Sequence, residues 1–152
     1  MLDLALAIAH HLLVFGLFGV LFSEFVAVQR GMSPAVVARI ASIDLWYGLL
    51  AGLILIVGFS RAVFAAKGWG YYSHNVFFWA KIGAFALIGL LSAPPTLVFI
   101  RWRRAGVTPA DSEVRRVRRF LHAELALFAL MPAFAAAMAR GYGNPSPLSL
   151  PM

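Results

Sequence analysis

The chain has 152 residues, 62% of them hydrophobic and 12% charged, with a mean hydropathy of +0.84. Soluble domains hold about 45–50% apolar and about 25% charged residues, so water is not the main solvent of this chain. Cysteine is absent, which excludes disulfides, thiolate-bound zinc, iron–sulfur clusters and a cysteine nucleophile, and a formal charge of +7 directs attention to where the basic residues fall.

The first apolar run, Leu4 to Val28, is longer than the hydrophobic region of a secretory signal and has Asp3 where such a signal carries positive charge, so it is expected to be a retained span. Gly31 stops it. Ser33-Pro34 then reads as a cap followed by proline at the first helical position, where its missing N–H costs nothing. The second helix is predicted from Pro34 to about Phe64, with its apolar part beginning at Ile43. Lys67 to Asn75 is a glycine-punctuated loop whose Trp69, Tyr71 and Tyr72 are types that settle at headgroup level. A third helix is predicted from Val76 to Ile100, bent or broken near its end by Pro94-Pro95. Thr108-Pro109-Ala110-Asp111 reads as a capping pattern opening a fourth helix near Pro109, which enters the bilayer near Phe120 and ends at Gly141. Residues 144–152 read as a flexible tail.

The expected fold is therefore all-α, an integral membrane four-helix bundle over residues 1–143, with a span of about 20 residues sufficing for each crossing. Lys and Arg set its orientation. The loops after the first and third helices share a side and carry Arg30, Arg39 and the seven arginines from Arg101 to Arg119, nine in all. The opposite side carries Arg61, Lys67, Lys81 and Arg140, four in all. That asymmetry places those two loops in the cytoplasm and both termini on the outer side of a bacterial inner membrane. The arginine cluster lies between apolar stretches without interleaved aromatics, so its expected partner is the anionic headgroup layer and not nucleic acid.

Ionisable residues inside spans cost about 2.5 kcal/mol or more at the centre, so each calls for a partner, a cavity or a route to the interface. Depth sorts them into two layers. On the outer side His10 and His11 in the first helix, Lys81 in the third and Arg61 near the end of the second come to similar levels, with His74 in the loop above. Near the cytoplasmic boundary lie Glu24, Asp44, His122 and Glu124. The outer layer combines imidazoles with cations and no carboxylate except Asp3. A haem b suits that set, because its iron takes an imidazole and its propionates pair with Lys or Arg. His11 is favoured over His10 as the iron ligand, because helical geometry turns it toward the room left by Gly19 and Ser23, with Lys81 as the opposing ligand or a propionate partner. The plainer reading makes these residues packing and snorkelling groups, and the inner four interhelical partners. Gly16, Gly19, Gly48, Gly52 and Gly58 are expected to let helices approach closely, and Phe15, Phe18, Phe22 and Phe25 to form a lipid or packing face.

Ala9-His-His-Leu-Leu13, Ala41-Ser-Ile-Asp-Leu-Trp-Tyr-Gly48, His74-Asn-Val-Phe-Phe-Trp-Ala-Lys81, Leu91-Ser-Ala-Pro-Pro-Thr96 and Glu113-Val-Arg-Arg-Val-Arg-Arg119 together resemble an uncharacterised bacterial family of four-helix membrane proteins, domain of unknown function twenty-two-fourteen. The likeness covers the chain up to Gly143 and implies no activity. A more distant likeness is to the haem-associated four-helix protoporphyrinogen oxidase family and to copper-resistance-type membrane domains. In the oxidase family a first-helix His and a third-helix Lys are tied to haem and activity, which this resemblance carries onto His10 or His11 and onto Lys81. The Trp and Gly after that His are echoed only by Phe18 and Gly19, and the Asn-Glu-x-Pro motif of the last helix is absent.

Three functions follow as expectations: a protein binding one haem or a related redox cofactor, a cofactor-free accessory subunit of a larger membrane complex or homo-oligomer, and a small transporter or channel using the inner carboxylates. The orientation is directly testable. Reporter fusions at Gly106 and Gly143 are expected to give cytoplasmic signal at Gly106 only, and cytoplasmic signal at Gly143 reverses the topology.

Overall fold

A computed structural model describes residues 1–64 and 68–143; Lys67 and the tail from 144 to 152 lie outside the described residues. Six helices follow in order: α1 (Leu2–Ala27), α2 (Pro34–Phe64), α3 (Gly68–Ser73), α4 (Val76–Ala105), α5 (Asp111–Phe128) and α6 (Leu130–Ala139). α1, α2, α4 and the α5–α6 pair run for 26, 31, 30 and 29 residues. At 1.5 Å per residue the shortest is about 39 Å long, enough to cross a hydrocarbon core of about 30 Å. All four are apolar enough to do so. Leu12, Phe15, Trp46, Ile56, Leu90 and Leu97 point outward, whereas Glu24, Asp44, Asn75 and Glu124 are buried. This inverts the usual arrangement of a water-soluble domain and suits hydrocarbon as the surrounding solvent.

Each long helix packs on two neighbours around a ring, α1 to α2 to α4 to α5 and back to α1, and across the diagonals the backbones stay apart. The core along the axis is Leu17, Leu21, Ile40, Ile54, Ile88, Phe99, Val117, Leu121 and Phe128. Tight connections join the helices at the end that holds the α1–α2 and α4–α5 loops. There Gly106 (φ 64°) ends α4 in the left-handed conformation that favours glycine and its N–H donates to the Trp102 carbonyl, whereas α1 ends earlier than Gly31, at an extended Val28, and Gly31 (φ 70°) turns the loop that follows.

Several features depart from the sequence expectation. The Lys67–Asn75 segment contains the helix α3, and Asn75 caps α4 by accepting from the N–H groups of Phe77 and Phe78. Asn75 also donates to the Tyr142 carbonyl, and Val76 N–H donates to that of Gly143, so the end of the bundle is tied to the start of α4. α5 begins at Asp111, and its first turn is closed by the Ala110 carbonyl, with no side-chain cap from Thr108 or any other residue. α4 does not end near Pro94-Pro95 but continues to Ala105. Ile88, Pro95, Phe99 and Trp102 are buried on both sides of the pair, and Thr96 bonds to Asp44, so packing holds the turns whose backbone bonds the prolines remove.

The interruption falls instead at Ala129, between α5 and α6. Pro132 explains it: it has no N–H to offer the Phe128 carbonyl four residues back, and its ring crowds that carbonyl. No residue of α6 is fully buried, so packing around this point is weaker than around Pro94-Pro95. Beyond the break α6 packs on α4 and no longer touches α1.

At the loop end one side chain closes the ring. Arg118 on α5 donates from Nη1 to the carbonyls of Val28 (2.6 Å) and Phe25 (3.1 Å), with its guanidinium 4.6 Å from the Phe25 ring centroid. The C-terminus of α1, where carbonyls lack intrahelical donors and the dipole is negative, is thereby capped by a cation from its neighbour. α4 is joined to α5 by Glu113, which accepts from Arg101 and from Trp102 Nε1. The exposed Arg30–Asp111 pair at 3.8 Å adds little. Arg118→Gln is expected to cost about 1.5–3 kcal/mol, read as a lower Tm in detergent, with exposed Arg115→Gln shifting stability by no more than about 0.5 kcal/mol. Equal effects of the two substitutions contradict the capping role.

Candidate functional site

The backbone of α6 stays apart from that of α1, and the end of the bundle that holds the termini has a cavity of about 480 Å³. Its walls come from α1 (His10, His11, Val14, Phe15), α2 (Ile54, Gly58, Arg61), α4 (Phe78, Lys81, Phe85) and α6 (Met131, Pro132, Met138), with Tyr72 of α3 at one side. The walls are mainly hydrocarbon and aromatic ring, with four nitrogen-bearing side chains among them. That is the composition of a site for a mostly apolar ligand oriented by a few polar groups.

His10, His11, Arg61 and Lys81, which the sequence places at one depth, all line this cavity. His74 does not; its Nδ1 donates to the Gly70 carbonyl at 2.8 Å on the exposed surface of α3. The two adjacent histidines differ. His11 Nδ1 donates to the Ala7 carbonyl at 2.7 Å, which in the neutral ring leaves Nε2 as the free acceptor. His10 is more enclosed, and its Nδ1 is buried with no partner. A Cβ placed on Gly58 would lie 3.4 Å from His10 Cε1, so the absence of a side chain there lets α2 pass against the imidazole. Arg61 Nε is likewise buried without a hydrogen bond, and among the described residues no carboxylate pairs with Arg61 or Lys81.

The room assigned by sequence to Gly19 and Ser23 lies elsewhere. Neither lines the cavity, and Ser23 Oγ bonds back to the Gly19 carbonyl. Gly19, Gly48 and Gly52 face outward with open space where a Cβ would be, and at Gly16 the nearest neighbour, Leu50, is in ordinary contact at 3.9 Å. Gly58 alone of the five meets the expectation of close approach. The Phe face is exposed at Phe15, Phe18 and Phe22, and Phe25 is covered by Arg118 and by His122, whose ring lies 4.5 Å away.

The inner layer divides. Glu24, Asp44 and Glu124 are 2%, 7% and 1% exposed and converge inside the ring of helices. Tyr47 Oη donates to Glu124 Oε2 at 3.2 Å, and Thr96 Oγ1 donates to Asp44 Oδ1 at 2.8 Å. Tyr47 and Thr96 are the residues the sequence reading missed. Tyr47 follows Asp44 by three positions, which places both on one helix face and was the available signal. His122 is not part of this cluster: it is exposed, donates to the Arg118 carbonyl at 2.6 Å and lines a second groove with Gln29, Arg30, Arg115, Arg118 and Arg119. Two positions along a helix are about 200° apart, so His122 and Glu124 share a depth and face opposite ways.

Between the two polar layers lies hydrocarbon. Leu17 and Leu21 separate His10 from Glu24 along α1, and Ile54, Ile88 and Phe128 fill the same level from α2, α4 and α5, all buried. Among the described residues no three His, Asp or Glu side chains converge as a protein-only metal site requires.

The family model described as "Predicted membrane protein (DUF2214)" matches residues 2–143. Comparisons with curated proteins and with solved structures give no match.

Proposed function

The chain belongs to that family of predicted membrane proteins, and from this premise we propose that it is a bacterial inner-membrane protein that binds one b-type haem, or a related porphyrin, in the cavity between α1 and α6. The observation that carries the reading is the cavity's unbalanced chemistry: two imidazoles and two cationic side chains on apolar walls, with no carboxylate among the described residues paired to either cation. The unpartnered Nδ1 of His10 and Nε of Arg61 fit a ligand that brings negative charge and accepts hydrogen bonds.

The residues divide the work by chemistry. His11, with Nδ1 fixed on the Ala7 carbonyl, presents Nε2 as the ligand nitrogen, an orientation of the kind that a backbone carbonyl imposes on metal-bound imidazole. Arg61 and Lys81 pair with propionates; Lys81 serves as a second ligand only as the neutral amine. Val14, Phe78, Phe85 and Met131 exclude water from the ring faces. A bound haem supplies one-electron redox chemistry. At the other end, the groove of Arg30, Arg115 and Arg119 meets the anionic headgroups of the cytoplasmic leaflet.

The protein purified in mild detergent and supplied with haem is expected to show a Soret band. His11→Ala abolishes it, Lys81→Ala lowers occupancy several-fold, and Pro132→Ala, which restores the donor to the Phe128 carbonyl and straightens α5 into α6, lowers occupancy while raising Tm. A parent protein with no band after haem addition removes the reading. Loss of the band in His10→Ala but not in His11→Ala moves the ligand to His10.

A further inference from the structure

Three carboxylates, Glu24, Asp44 and Glu124, lie buried together near the loop end of the bundle, and among the described residues no cationic side chain pairs with them. α1 contributes Glu24, α2 Asp44 and Tyr47, α4 the hydroxyl of Thr96, and α5 Glu124. The basic residues of α5 within two turns, Arg118, Arg119 and His122, are directed elsewhere, to the end of α1, to the exposed outer groove and to the ring of Phe25. Two hydroxyl donors serve three carboxylates. Glu24 Oε1 and Glu124 Oε1 are buried with no hydrogen-bond partner, and Glu24 makes no hydrogen bond from its side chain.

Burying a carboxylate without a partner costs several kcal/mol, and a second like charge beside it adds to that cost. The cluster therefore takes its compensating positive charge from outside the chain. A multivalent metal is a poor candidate, because the three carboxylates do not converge on a common point with ligand geometry. A proton needs only one oxygen at a time, and it converts an unpartnered acceptor into a donor that a neighbouring carboxylate accepts. We infer that Glu24, Asp44 and Glu124 form a buried proton-binding site that exchanges with water only from the face holding the α1–α2 loop.

The sidedness follows from position. Glu24 is three residues from the end of α1, about 5 Å along the axis, whereas Leu17, Leu21, Ile54, Ile88 and Phe128 close the opposite direction. In the exchange an O–H bond forms on a carboxylate oxygen with a proton from water on the loop side, and that proton returns to the same side. No net transfer across the membrane occurs. The site does not depend on the haem reading, since the apolar layer separates the two.

Infrared spectroscopy of the full chain in lipid vesicles tests this. At neutral pH the parent is expected to show the carbonyl stretch of a protonated carboxylic acid, and isotopically labelled glutamate to shift it. Glu24→Gln and Glu124→Gln are each expected to remove part of the band. Alkali applied on the loop side is expected to remove the band within seconds, and alkali on the terminal side to leave it, with orientation read from impermeant labelling of Val107→Cys, an exposed position of the α4–α5 loop. Absence of the band in the parent, a band unmoved by labelled glutamate, or removal from the terminal side overturns the inference; the labelling arm needs no variant to fold.

Discussion

A helix bundle in hydrocarbon has no favourable place for a polar side chain except its own interior or its two ends, and this constraint orders the structure. Backbone groups are satisfied within helices because lipid offers them nothing. Side chains that cannot be satisfied so locally are turned inward, where Glu24, Asp44 and Glu124 meet, or toward the boundaries, where the arginines of α5 lie. The fully buried residues are consequently a mixture of ordinary core aliphatics and carboxylates, while large aliphatic and aromatic residues cover the outside. The same constraint makes Arg118 valuable. The carbonyls at the end of α1 need donors close to the headgroup boundary, and a guanidinium from the adjacent helix supplies them while fixing α5 against α1.

The cavity arises from one local defect within that frame. Up to Phe128 the fourth span packs against α1; past Ala129 it does not, and the space between α1 and α6 exposes the imidazoles of His10 and His11 to a common pocket. A single proline thus connects backbone chemistry to the site. The contrast with Pro94-Pro95 shows what decides whether a proline breaks a helix. In α4 buried residues flank the pair and the Thr96–Asp44 bond anchors it, whereas α6, after the interruption at Ala129, has no fully buried residue.

Much of this architecture is legible in the sequence. Pro34 at a first helical position and the apolar run after it fix α2 from Pro34 to Phe64, and matched depth brings His10, His11, Arg61 and Lys81 to one level. Depth, however, gives a level and not a direction around the axis. Depth therefore groups His122 with Glu124 although it faces the outside, and it points to Gly19 and Ser23 for space that lies beside α6. Tyr47 and Thr96 escaped notice because neither is charged; their roles depend on which helix stands opposite, information carried by tertiary packing alone. The position of the fourth-span break was hidden for the same reason, since three prolines within spans carry the same local chemistry and only their surroundings differ.

Five buried apolar side chains separate the two polar regions, and we propose from this two one-sided sites with no continuous path between them. This separation is the central claim, because it assigns the cavity and the carboxylate cluster to different faces of the membrane. Passive proton flux into vesicles bearing the purified protein, driven by an imposed pH gradient with potassium and valinomycin to clamp the potential, tests it most directly. The account predicts a flux no greater than that of protein-free vesicles; a protein-dependent flux that falls in Glu24→Gln would contradict it.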